Sequence, residues 1–143
     1  MNDRSFEMSV LGKLTIGMSA ETRIPVTREM TIGHFVPGMP QVYATPIMIL
    51  HMEMASGAAI ASWLPDGFVS VGMEVNVRHL AATAVGHTVR VIARLTRIEA
   101  KSVVFQIEAW NEVRKIGEGT HRRGIVNVPE FERRFGVRHV AAA

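Results

Sequence analysis

The chain of 143 residues contains no cysteine. That absence excludes disulfides, a cysteine nucleophile and every cysteine-ligated zinc or iron–sulfur site, so stability must come from an apolar core. Aromatic residues make up only 6% of the chain, and nothing resembles the aromatic signature of an RNA-binding sheet. Charge of one sign is not concentrated either. Lys and Arg total 16 against 13 acids, a net charge of +3, and residues such as Arg90, Arg94, Arg97, Arg114 and Arg122 are scattered rather than run together. A solvated face explains such a distribution better than a nucleic-acid surface, and no nucleic-acid partner is expected. There is no P-loop, no G-x-S-x-G elbow and no G-x-G-x-x-G following a strand. The opening MNDRSFEMSV carries charge at Asp3, Arg4 and Glu7 and lacks the apolar run of a secretory signal, so a cytoplasmic protein is expected.

What is present is a chain that is 48% apolar and long enough to bury a substantial core as one domain. That single domain is expected to span 1–143, with 1–20 as an N-terminal extension and 129–143 as a short helix and tail. One segment, Ala44 to Leu64, is nearly all apolar for about the length a bilayer needs, but His51 and Glu53 fall close to its middle, where a carboxylate is costly. No membrane association is expected, and the segment reads instead as a helix buried on most sides. Thr45 is placed as its N-cap and Pro46 in its first turn, with the helix running to about Trp63. Leu64, Pro65, Asp66 and Gly67 then make a turn.

After that turn the period changes to two. In VSVGMEVNVR, Val69, Val71, Met73, Val75 and Val77 alternate with polar or small residues, which predicts a strand over 69–78 with one buried face. Strands are further predicted over 87–98, 103–110 and 116–128, separated by turns, as an antiparallel meander. Upstream, residues 21–32 are β-rich, with Pro25 confining them to an edge. A last short helix is expected over 130–134. An apolar helix followed by antiparallel strands predicts an α+β hotdog fold, in which a curved sheet wraps one long central helix. Free edge strands make a homodimer, or a dimer of dimers, the expected assembly.

Polar residues that such a fold would bury carry the functional expectations. Glu53 lies among Met52, Met54, Ile49 and Ala55, where desolvation would raise its carboxyl towards the range of a general base; a place on a solvent stripe is the competing reading. His51 lies 200° around the helix from it, so the two face different ways. His79 continues the odd series of the first strand towards the helix, from where its imidazole would approach Glu53 and share a proton; a hydrogen-bonded structural histidine is the competing and commoner reading. Gly72, on the opposite parity, permits close approach of a ligand or chain, or marks a bulge. Thr45 sits at a helix start, where free N–H groups and the dipole favour developing negative charge. In one regular helix Thr45 and Glu53 are about 12 Å apart along the axis, so either a folded-back loop or a second subunit must complete a common site.

Thr45 eight positions before Glu53, Gly72 seven before His79, and the late segment GEGTHRR at 117–123 together resemble the fluoroacetyl-CoA thioesterase group of hotdog proteins, over about Gly38 to Val128. The resemblance implies hydrolysis of an acyl-CoA to free acid and CoA. It implies Thr45, Glu53 and His79 as the catalytic group, with Gly72 and Arg123 shaping the acyl end of the pocket. At the lid position, where the specialised member has phenylalanines that read fluorine, this chain has Met39, followed by Pro40 and Tyr43, and Met39 and Tyr43 are taken as substrate-binding walls. Arg122 stands where the resemblance suggests an acid. The carbonyl would sit against the helix start and the Thr45 hydroxyl, Glu53 would attack or activate water, and His79 would handle the proton. Arg90, Arg94 and Arg122 are candidates for the CoA phosphates. A thiolate leaves readily, so no metal and no cofactor other than the CoA of the substrate is expected. The alternative is a non-catalytic acyl-CoA-binding or ligand-sensing hotdog module.

Overall fold

The computed structural model describes residues 5–6 and 9–137. Its regular elements are strand β1 (Ser19–Pro25), the short helix α1 (Ile32–Phe35), the central helix α2 (Thr45–Ile60), strands β2 (Phe68–His79), β3 (Thr88–Ile98), β4 (Ser102–Trp110) and β5 (Lys115–Asn127), and the closing helix α3 (Val128–Phe135). The five strands form one antiparallel sheet in the order β1-β3-β4-β5-β2. Strands β3, β4 and β5 make the expected meander. The strand before them does not join it: β2 pairs with β5 at one edge, and the chain then crosses to β3 near the other. β1 is the opposite edge, shorter than its β-rich sequence suggested, because a 3-10 turn at Arg28–Met30 and α1 take up the residues beyond Pro25.

Alternation in the inner strands follows the sequence pattern. Val89, Val91, Ala93 and Leu95 of β3 and Val103, Phe105, Ile107 and Ala109 of β4 are buried against α2, as a period of two requires of a sheet with one covered face. From the helix, Met48, Met52, Ala55, Ser56, Ala59 and Ile60 are buried, a stripe at helical spacing. Among the described residues ahead of β1, Phe6, Val10, Leu11 and Leu14 are buried within this core.

Three expectations are corrected. The helix is not buried on most sides: Leu50 and Met54 remain 47% and 61% exposed, because the sheet reaches only one face. The helix ends at Ile60 and continues to Trp63 only as a 3-10 turn. Its N-cap is Ala44, with Thr45 and Pro46 in the first turn and no side-chain cap bond, which leaves the Thr45 hydroxyl for other work.

A fourth correction concerns β2. The register shifts between Gly72 and Glu74, so that Met73 is an extra residue opposite β5. A bulge of this kind moves the side chains on either side of it onto different parities. Before it, the even positions face α2; after it, the odd ones do. Val69 and Met73 therefore point away from the helix and are 43% and 62% exposed, whereas Gly72 and His79 both face it.

The packing of β2 on β5 leaves no room at Gly119, where a Cβ would collide with the Asn76 carbonyl oxygen and lie 2.7 Å from Val77 Cα. Both are backbone atoms and cannot swing aside. Gly119→Ala should therefore lower the unfolding free energy by about 1–3 kcal/mol or more. Gly117→Ala, which meets the Met48 and Met52 side chains, should cost less. Urea denaturation of the two variants tests the order, and equal midpoints would contradict it.

Candidate active site

Two polar clusters lie on the helix side of the sheet, one at each end of the interval from Thr45 to Glu53. At the helix start, Thr45 Oγ1 is 2.7 Å from His79 Nδ1. Burial holds the His79 imidazole below its ordinary pKa, opposed more weakly by the Ala81 backbone, so the ring is neutral at pH 7 and its Nδ1 can accept the threonine proton. Its buried Nε2 makes no well-formed hydrogen bond. The Tyr43 ring stands edge-on to His79, with centroids 6.4 Å apart.

Tyr43 is fully buried, so it backs this cluster and does not form an open pocket wall. Burial pushes its phenol far up and pushes the His51 imidazole down. The contact of 2.5 Å between Tyr43 Oη and His51 Nδ1 is therefore a neutral O–H donating to a neutral ring. Met39 lies in the segment between α1 and α2 and is half exposed, accessible as a wall.

Eight residues along the helix, Glu53 projects over β2. A Cβ at Gly72 would collide with Glu53 Oε1, so the absence of a side chain there is what lets the carboxylate in. The side chain of Glu53 is 33% exposed, not sealed among the neighbouring methionines. Its imidazole neighbour is not His79 but His121, a residue the sequence reading passed over: His121 Nε2 lies 3.7 Å from Glu53 Oε1.

His121 is fully buried, and burial is the main reason its imidazole is held below the ordinary value, with Arg123 adding to the fall and the Glu74 backbone and Glu53 opposing it. His121 Nδ1 is 2.9 Å from the Glu74 carbonyl, which fixes the proton on Nδ1 and leaves Nε2 as an acceptor for Arg123 Nη1 at 3.1 Å. The Arg123 guanidinium also donates to Ser70 Oγ and Ser70 O, both at 2.8 Å, and to the Glu53 carbonyl at 3.4 Å. It borders a cavity of about 270 Å³ with Gly57, Ala61, Leu64, Phe68, Val69 and Ser70.

The structure thus brings Thr45 to His79, and Glu53 to Gly72 and Arg123, but keeps the two groups apart. Both Thr45 and Glu53 belong to the continuous helix α2, and their separation along its axis is about 12 Å. No folded-back loop shortens it. The basic residues considered for CoA phosphates fare differently. Arg90 and Arg122 project from the sheet face away from the helix, where they pair with Glu21 at 2.8 Å and Glu99 at 2.6 Å.

A helix wrapped by a five-stranded antiparallel sheet, with a carboxylate and hydroxyl–imidazole pair on its inner side, defines the class: a hotdog-fold thioesterase. The family model described as fluoroacetyl-CoA-specific thioesterase matches residues 26–129, and the chain belongs to that family. It is 36% identical over 107 residues to the fluoroacetyl-CoA thioesterase of Streptantibioticus cattleyicolor, an alignment covering 71% of this chain and 77% of the relative. A solved fluoroacetyl-CoA thioesterase FlK superposes with a TM-score of 0.81 at 31% identity, covering 86% of this chain and 96% of that one. A thioesterase superfamily member from Thermus thermophilus gives 0.79 at 36% identity, covering 85% and 90%. The chain is accordingly an enzyme, a thioester hydrolase that acts on coenzyme A thioesters.

The lowered pKa values of His51, His79 and His121 make folding pH-dependent. In the folded state each ring binds a proton less readily than the ordinary value of 6.5 allows, so below that pH the unfolded chain holds more protons. The stability contributed is present above pH 6.5 and is lost as pH falls through the lowered folded values. Denaturation curves should show the unfolding free energy declining as pH falls below about 6.5, starting above the range where most carboxylates titrate. A flat profile there would show that the rings are not held neutral.

Proposed function

We propose that the working enzyme is a homodimer in which Thr45 and His79 of one protomer face Glu53, Gly72 and Arg123 of its partner. The observation that carries this is the span of unbroken helix between the two clusters. A two-fold axis places each half-site against the other half of a second copy and generates two equivalent sites. Apolar surface fits the arrangement: Leu50 and Met54 on the uncovered helix face and Val69 on the edge strand β2 are exposed, and β2 has a free edge for pairing.

In this site the thioester carbonyl rests against the start of α2 beside the Thr45 N–H, since Pro46 has no N–H and those of Ile47 and Met48 bond the Ala44 carbonyl, and the helix dipole there favours the developing oxyanion. The Glu53 carboxylate removes a proton from the water that attacks the carbonyl carbon, and the C–S bond breaks as that proton passes by way of neutral His79 to the departing thiolate, leaving the free acid. In direct attack Glu53 instead displaces the thiolate to form an acyl–carboxylate anhydride, and water then cleaves the anhydride to the free acid and restores Glu53. Gly72 admits the acyl end beside the carboxylate, and Arg123 closes that end. Met39 lines the entrance, and Tyr43 supports His79 from behind. A flexible thioether at Met39 adapts to different shapes, which supports an acyl specificity not restricted to the fluoroacetyl group. The chemistry requires no metal or cofactor. A cytoplasmic location is proposed on the substrate class. Absence of nucleic-acid and membrane partners is proposed too, on the pairing of Arg90 and Arg122 with acids.

Thiol release from a panel of acyl-CoAs tests the reading. Glu53→Gln keeps size and polarity but removes the base, and kcat should fall by about 10²–10⁴-fold. Wild-type turnover in that variant would exclude Glu53 from the chemistry. The shared site has its own test. Refolding inactive Glu53→Gln chains together with inactive His79→Ala chains should restore about a quarter of wild-type activity, since half the dimers are mixed and each carries one intact site. No restoration, with mixed dimers present, would place the whole site in one chain.

A further inference from the structure

We propose that His121 is a positioning residue that holds the Arg123 guanidinium away from the Glu53 carboxylate, so that the carboxylate stays free to act on the thioester. The inference rests on the reading of Glu53 above. A carboxylate and a guanidinium this close would ordinarily form a bidentate pair, which stabilises the anion and weakens it as a base or nucleophile. Here they do not. Arg123 Nη1 reaches the backbone carbonyl of Glu53 and the His121 Nε2 lone pair, while Nε and Nη2 are engaged by Ser70. None of these bonds goes to the carboxylate.

The capture works only with the proton on one side of the ring. His121 Nδ1 donates to the Glu74 carbonyl at 2.9 Å, and Glu74 is the residue at which the register resumes after the extra Met73. With Nδ1 protonated, Nε2 is an acceptor and can hold Nη1. The opposite tautomer, or a protonated ring, would present an N–H to the guanidinium and expel it. Such a ring would also donate towards Glu53 Oε1, 3.7 Å away, and neutralise the group the site needs charged. Full burial of His121 keeps the ring uncharged. The titratable groups facing His121 are Glu53 from α2 and Arg123 from its own strand. Its partner in β4 is Phe105, and β2 contributes Gly72 and the Glu74 carbonyl.

Two variants and one spectrum test the assignment. His121→Leu removes the acceptor and releases Arg123 onto the carboxylate. kcat should fall by about tenfold or more with KM little changed, and the acid limb of the kcat profile should move to lower pH as Glu53 becomes harder to protonate. His121→Gln carries an acceptor at the Nε2 position and should recover most of kcat and the original limb. In the wild type, ¹⁵N NMR of the ring should show a neutral, Nδ1-protonated imidazole from pH 6 to 8. Wild-type kcat and pH profile in His121→Leu, where Glu53→Gln is inactive, would overturn the inference while leaving the reading of Glu53 intact. An Nε2-protonated or charged ring in the spectrum would overturn it directly, even if His121→Leu fails to fold. Full activity in Glu53→Gln would remove both.

Discussion

One extra residue in strand β2 sets the geometry on which both polar clusters depend. Gly72 and His79 are an odd number of positions apart, so in a regular strand their Cα–Cβ directions would point to opposite faces of the sheet. The bulge at Met73 brings both to the helix side, and it does so by adding a residue to the chain, not by bending the helix. Two further consequences come with it. The Glu74 carbonyl is met by the His121 ring, and Met73 is turned to the outer face, where a Cβ on Gly124 would lie 2.8 Å from its sulfur. A deletion of one residue at this point would leave the strand intact as a strand while exchanging every contact on one side of it.

The second constraint is the stiffness of α2. A hydrogen-bonded helix cannot shorten the distance between its first turn and a residue two turns later, and the sheet that grips Met48 and Met52 holds both ends in place. A site that used both Thr45 and Glu53 would draw one of them from a second chain, and the partly exposed carboxylate and uncovered apolar stripe on the same helix fit that proposal. The missing side-chain cap at Thr45 fits too. Capping its own helix would occupy the hydroxyl, whereas Ala44 at the cap position leaves it to bond His79.

Much of the architecture was legible because it is written in local periodicity. The long apolar helix with Pro46 near its start, the turns at 64–67 and 99–102, and the alternation of β3 and β4 all follow from patterns spanning a few residues. Strand order was not, since nothing in the sequence of β2 says that it pairs with β5 and not with β3. The facing direction of β2 was misread for a related reason: alternation assumes a uniform register, and the apolar series from Val69 to Val77 runs straight through the bulge. Gly72 was the one available clue. For the site, the resemblance grouped Gly72 with Arg123, which β2 and β5 do bring side by side, but the expectation that His79 approaches Glu53 failed, because which side chains meet depends on what two separate elements bring together. His121 carried a signal that went unused: it shares parity with Arg123 in a strand predicted to face the helix.

Burial and charge are divided in a consistent way between the two clusters. His51, His79 and His121 are all pushed towards the neutral form by burial, and Tyr43 is pushed towards it as well. Beside them stand the Glu53 carboxyl group, with a third of its side chain in solvent, and the Arg123 guanidinium, which cannot lose its proton and is held by carbonyl, hydroxyl and imidazole acceptors. Neutral rings can both accept and donate, so they can pass a proton without first paying the cost of a buried cation. A charged imidazole at His121 would instead pair with the carboxylate and lower its basicity. Keeping the imidazoles uncharged and the guanidinium bonded to other acceptors leaves the carboxylate without a hydrogen-bonded cation at the place where an electrophilic carbonyl would be bound, and that asymmetry suits the proposed arrangement to thioester cleavage.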